Sequence, residues 1–153
     1  MENAIENFLD NSLLFADLND VERKVVEEHM YEMHLDAQEI LFNEGDPGEY
    51  VCFVVSGSLQ VLKKNDVGEQ VELAVLEHGQ SIGEMGIIDH ATRFATVKAL
   101  DDVVLMVLTR KGFDLLLAQH PNIGIVMLRT LAHLLSEKVR ELSNDFMSFY
   151  NKN

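Results

Sequence analysis

The sequence predicts an α+β fold, mainly β: an antiparallel β-roll or jelly roll flanked by N-terminal helices and a long C-terminal helix. Three observations carry this. Between residues 37 and 109, six short runs rich in Val, Ile, Leu and Phe are separated by turn-forming stretches, the pattern of an antiparallel sandwich. Before them, "LNDVERKVVEEHM" repeats its apolar residues at helical spacing. After them, residues 122–150 hold no Gly or Pro beyond Gly124, which suits one long helix. With 153 residues, 47% hydrophobic and 25% charged, the chain is expected to form one domain with a proper core. Its parts are an N-terminal helical part (1–36), the roll (37–109) and two C-terminal helices (110–150).

The elements follow in order. Asn19 stands before Val21, Val25 and Val26, with Glu22 three residues on, so a capping box opens an amphipathic helix of about a dozen residues. The strands are then "EILF", "YVCFVV", "LQVLKK", "VELAVLEH", "ATVKAL" and "VVLMVL", and the turns between them include "NEGDPGE", "SGS", "NDVGE" and "LDD". "RKGFDLLLAQ" is a short helix, and Pro121 suits the first turn of the next one. That last helix shows two apolar stripes: Ile123, Val126, Thr130, Leu134, Phe146 and Phe149 on one side, and Leu128, Leu131, Leu135 and Leu142 on the other. A helix apolar on two faces needs two surfaces to pack on. One is the roll; the other is either this chain's own N-terminal helix or, as the favoured expectation, the same helix of a second copy, giving a homodimer.

Charge and composition exclude several classes of function. Twelve Lys and Arg against 26 Asp and Glu give a net charge of −14, a field that repels nucleic acid and anionic lipid surfaces. No apolar run reaches the roughly 20 residues that span a bilayer, and "MENAIENFLD" lacks the pattern of a secretory signal. The expected setting is the cytoplasm. The one cysteine, Cys52, lies in an apolar strand and reads as a buried thiol. The six histidines form no His-x-His pair with a downstream Glu, which argues against a metal-dependent enzyme on a similar roll.

One segment, "SIGEMGIIDHATRFATV", combines two glycines, a carboxylate and a guanidinium. Gly83 and Gly86 allow a backbone to come close to another group. One helical turn at "EMGII" would offer free amides to an anion, and the planar fork of Arg93 can hold two phosphate oxygens. Glu84 suits a sugar hydroxyl better than a phosphate. On these residues alone, the segment is either a site for a small phosphate ester bearing hydroxyls or a surface turn with an Arg93–Glu84 ion pair.

"IGEMGIIDHATRFATVKA" resembles the phosphate-binding cassette of the cyclic nucleotide-binding domain family, shared by the catabolite activator protein and the regulatory subunits of protein kinase A. The upstream "EILFNEGDPGEYVCFVVSGSLQVL" is similar to that family's glycine-punctuated strand pair. The resemblance spans about residues 13–142, with the cassette at 82–96. It implies that Gly83 and Glu84 are the family's Gly-Glu pair, with Glu84 binding the ribose 2′-hydroxyl, that Arg93 pairs with the cyclic phosphate, and that Met85, Gly86, Ile87, Phe94 and Ala95 complete the site, with backbone amides near Gly86, Ile87 and Ala95 in the cradle. Gly45, Gly48 and Gly57 match structural glycines. The final helix is the lid that moves when ligand binds.

Two departures bear on the ligand. The residue after the arginine is usually small, often Ser or Thr; here Phe94 brings bulk and no hydroxyl, which favours cyclic AMP (cAMP) over cyclic GMP. On the lid helix, Leu134, Lys138 and Val139 fall where the catabolite activator protein reads adenine with Arg, Thr and Ser. The residues given after the lid, as far as Asn153, are too few for a helix-turn-helix, so the expectation is a stand-alone sensor or a piece excised from a longer protein. The expected function is a non-enzymatic sensor that signals through its C-terminal helix to a partner protein. Its rival is an interaction domain whose pocket Phe94 fills.

Overall fold

A computed structural model describes residues 2–152 of the chain. It opens with helix α1 (Glu2–Asn11), a 3-10 turn (Leu13–Phe15) and helix α2 (Asp20–Glu28). The expected capping box is present: Asn19 Oδ1 accepts from the Glu22 amide at 2.9 Å, and Glu22 Oε1 accepts from the Asn19 amide at 3.1 Å. Helix α2 is nevertheless only nine residues long, because Met30–Leu35 forms strand β1. The expected helical part, 1–36, thus ends in a strand. β1 lies at a sheet edge and carries Glu32 and His34 among its apolar residues, which hid it behind a helical neighbour.

The other strands are β2 (Ile40–Phe42), β3 (Tyr50–Ser56), β4 (Leu59–Lys64), β5 (Gln70–Leu76), β6 (Ser81–Ile82), β7 (Thr96–Ala99) and β8 (Val103–Thr109). Each of the six expected runs falls on a strand, three of them overrunning its ends by one or two residues, and β6, only two residues long, was not read from the sequence. The strands form two four-stranded sheets, ordered β1-β8-β3-β6 and β2-β7-β4-β5, with every pairing antiparallel.

Strands β3 and β8 are buried on both faces, which is why they read as unbroken apolar runs. Cys52, Val54, Leu105 and Val107 point between the sheets toward Phe42, Val61 and Val97. The alternate residues Val51, Phe53, Met106 and Leu108 face the helices, where Phe8, Phe113, Leu116, Met127 and Leu131 cover them. Cys52 is 0% exposed, and burial pushes its thiol up to about 12. Because the thiolate is the nucleophile, the folded protein should resist iodoacetamide at pH 8 and react only once denatured. Mass spectrometry with and without denaturant checks this; equal labelling in both would contradict it.

Helix α4 (Arg110–Gln119) starts at an N-cap in which Thr109 Oγ1 accepts from the Gly112 amide. Helix α5 (Pro121–Lys152) follows directly. Ile123, Met127, Thr130 and Leu131 are buried against the rest of the fold. Three expected stripe members differ from the reading: Leu131 belongs to this inner face, whereas Phe146 and Phe149 are 64% and 68% exposed. Along the other side runs a row at steps of four and three, Leu128, Ala132, Leu135, Val139, Leu142 and Phe146, exposed except for the half-buried Leu135, the spacing of a coiled-coil seam.

Candidate ligand-binding site

Strand β6 delivers the chain to Gly83, whose φ of 93° only glycine adopts easily and which is the N-cap of α3 (Glu84–Ile88). So "EMGII" does make a helical turn. The chain then returns past Asp89, and the backbone at Arg93 is pinned to the β2–β3 loop: its amide donates to Asp46 O at 2.7 Å and its carbonyl accepts from Gly45 N at 2.8 Å. This clamp turns the Arg93 side chain inward.

Arg93 is 5% exposed. Its guanidinium lies between two rings, with Cζ 4.0 Å from the Phe42 centroid and 4.6 Å from that of Tyr50. Nη2 donates to Tyr50 O at 2.8 Å. Nε and Nη1 are buried and have no hydrogen-bond partner among the described residues. Burial lowers the Arg93 pKa from its ordinary value, and burial also pushes the Tyr50 hydroxyl up to about 12, so that Tyr50 stays neutral. A cation with two unanswered N–H donors in a dry site is costly by itself and suits an incoming anion. Gly83 stands against it: a Cβ there would lie 2.4 Å from Arg93 Nη1.

Glu84 is 2% exposed. Its Oε1 accepts from Ser81 Oγ and from Lys138 Nζ of α5, the latter at 2.8 Å. Glu84 and Arg93 are both buried and form no ion pair with each other, so the segment is not a surface turn held by that pair. Met85 lies at the rim, 38% exposed. Gly86 packs on backbone, since a Cβ there would be 2.9 Å from Gly48 O. Ile87 turns into the core beneath the helices, and Ala95, 1% exposed, into the core between the sheets. Phe94 is 43% exposed. Phe94 lines both a small hollow beside Arg93, about 20 Å³, and a largely apolar cavity of about 380 Å³ between the sheet and α5. It therefore stands at the junction of two spaces.

The sequence profile of the cyclic nucleotide-binding domain matches residues 32–120, more than half of the chain. The chain belongs to the cyclic nucleotide-binding domain family. Lysophospholipase NTE1 of Kluyveromyces lactis is 35% identical over 102 residues, covering 65% of this chain but 7% of that protein. The cyclic AMP receptor protein of Thermus thermophilus is 32% identical over 111 residues, 71% of this chain and 50% of the receptor. The chain thus spans half or less of these relatives. Among solved structures, a cyclic nucleotide-binding domain from Methylobacillus flagellatus superposes with a TM-score of 0.85 at 28% identity, covering 95% of this chain and 82% of that one. No described helix is long and apolar enough to cross a membrane.

Around this family's cassette the structure adds residues that sequence reading missed. Phe42 and Tyr50, read only as strand residues, form the walls around Arg93. Arg110 ties the cassette to α4: its Nε donates to Gly86 O at 3.0 Å, and its Nη2 donates to the Gly48 and Gly86 carbonyls. A signal for Arg110 existed, because a cation in the first turn of a helix opposes the helix dipole and calls for another partner. Lys63 holds the backbone beside the ring of Phe94, donating to Phe94 O at 2.6 Å and to Glu44 Oε1 at 2.9 Å; the Lys63 bond holds the Glu44 carboxyl below its ordinary range.

Proposed function

We propose that this domain is a non-enzymatic cytoplasmic module that binds a cyclic nucleotide, cAMP in preference to cyclic GMP, and signals by moving α5 toward a partner protein. The observation that carries it is the Arg93 guanidinium, buried with two N–H donors unanswered and bordered by Gly83. Arg93 takes the cyclic phosphate, helped by amides of the Gly83–Ile87 stretch and of Ala95. Glu84 takes the ribose 2′-hydroxyl. The base lies in the larger cavity against the apolar side chains of β4 and β5, with the Phe94 ring beside it. Phe94 supplies no hydroxyl to a guanine. What speaks against the rival reading is that Phe94 is 43% exposed and lines the hollow without being buried.

The outer row of α5, Leu128 to Phe146, supports a homodimer joined along that helix. Light scattering should give twice the chain mass, falling by half in Leu135→Glu; a monomeric wild type would refute it. For the ligand, calorimetric titration with cAMP, cyclic GMP and a cyclic dinucleotide should give heat, tightest with cAMP. Ligand at 100 times its Kd should stabilise the fold by about 2.7 kcal/mol, visible as a rise in Tm. Silence with all three would leave the interaction-domain reading in its place.

A further inference from the structure

We propose that Lys138 of α5 competes with the ligand's ribose for Glu84, so that the lid helix must release the cassette before a 2′-hydroxyl can bind there. The inference rests on the cyclic nucleotide reading of the site and adds a device within it. Lys138 Nζ sits 2.8 Å from Glu84 Oε1 and also donates to the Ser81 carbonyl. The Glu84 side chain is only 3% exposed, so the approaches to its carboxylate are few, and Lys138 and Ser81 hold one oxygen already. An incoming hydroxyl is a neutral donor and meets an acceptor that a cation has engaged.

The position of Lys138 on α5 makes this contact a latch. Among the described residues Leu131 is the last buried one of the helix, which continues to Lys152. Lys138, at 32% side-chain exposure, is therefore the polar fastening of the distal half to the cassette. At about 100° per residue it lies beside, and not in, the outer row, about 60° around the helix from Leu135, 100° from Val139 and 40° from Leu142. Replacing it leaves that row intact.

The test is Lys138→Met, which keeps the aliphatic stem and removes the ammonium. In the ligand-free protein, amide hydrogen exchange over residues 134–148 should quicken about tenfold, the scale of one partly exposed charge-assisted bond. In calorimetry, Lys138→Met should bind cAMP about tenfold more tightly than wild type, on the same scale, while 2′-deoxy-cAMP should bind both alike. Lys138→Arg should restore wild-type behaviour. Weaker cAMP binding by Lys138→Met would overturn the competition and make Lys138 an aid to the ligand, and unchanged exchange would remove the latch. If both proteins bind cAMP equally, the site stands and the competition falls. If neither binds any cyclic nucleotide, the site reading itself fails and takes the competition with it.

Discussion

Arg93→Met should bind cAMP at least about 100-fold more weakly than wild type while keeping nearly the same thermal stability. The first half follows from two charge-assisted hydrogen bonds, each worth about 1.5 to 3 kcal/mol, that Nε and Nη1 can make to a phosphate. Losing about 3 kcal/mol is a factor of about 100 in Kd. The second half follows from opposed terms in the ligand-free protein. Methionine gives up the bond to Tyr50 O and the stacking between Phe42 and Tyr50, where a cation over a ring contributes about 0.5 to 2 kcal/mol. It also removes two buried donors that have no partner, at about 1 to 3 kcal/mol for an unsatisfied group. The terms nearly cancel, and a residual of 1 kcal/mol moves Tm by only about 2 to 4 °C in a chain of this length. Titration beside a melting curve reads both. Wild-type binding by Arg93→Met would remove the phosphate role, and a large fall in Tm would make Arg93 a structural pillar.

How much of this was legible in the sequence depends on the range of the interaction. Local signals survived translation into structure: the Asn19 capping box, Pro121 in the first turn of α5, and the helical turn at "EMGII" all depend on neighbours within a few residues. The same holds for the segment that carries Glu84 and Arg93, because Gly83, Glu84 and Gly86 all lie within ten residues of the arginine. Long-range facts were hidden. β1 is decided by its register against β8, some 70 residues away, and Met30–Leu35 shows too little alternation to announce it. Phe42 and Tyr50 look like any strand aromatics until the fold places Arg93 between them. Lys138 looked like a mismatch at a base-reading position, and its contact with Glu84 spans 54 residues.

The close packing around the cassette predicts the second large effect. Gly83→Ala should lose roughly 2 to 4 kcal/mol of stability, about 5 to 15 °C in Tm, and its ligand binding with it. Two costs combine. At φ 93° an L-residue is strained by about 1 to 2 kcal/mol. The new Cβ would also meet Arg93 Nη1 at 2.4 Å and the Tyr50 carbonyl at 2.8 Å. Neither neighbour yields easily: the carbonyl belongs to a central strand, and the guanidinium is confined by two rings. Relief comes only by moving Arg93, which spoils the geometry offered to a phosphate. Gly68→Ala isolates the strain, because Gly68 has φ 83° yet nothing within 4 Å of an added Cβ. That variant should lose about 1 to 2 kcal/mol and bind cAMP normally. Equal melting curves and equal affinities for the two variants would show that the contact between Gly83 and Arg93 is without consequence. A larger loss of stability in Gly83→Ala than in Gly68→Ala, with a binding deficit in Gly83→Ala alone, would show that the backbone at Gly83 positions the guanidinium.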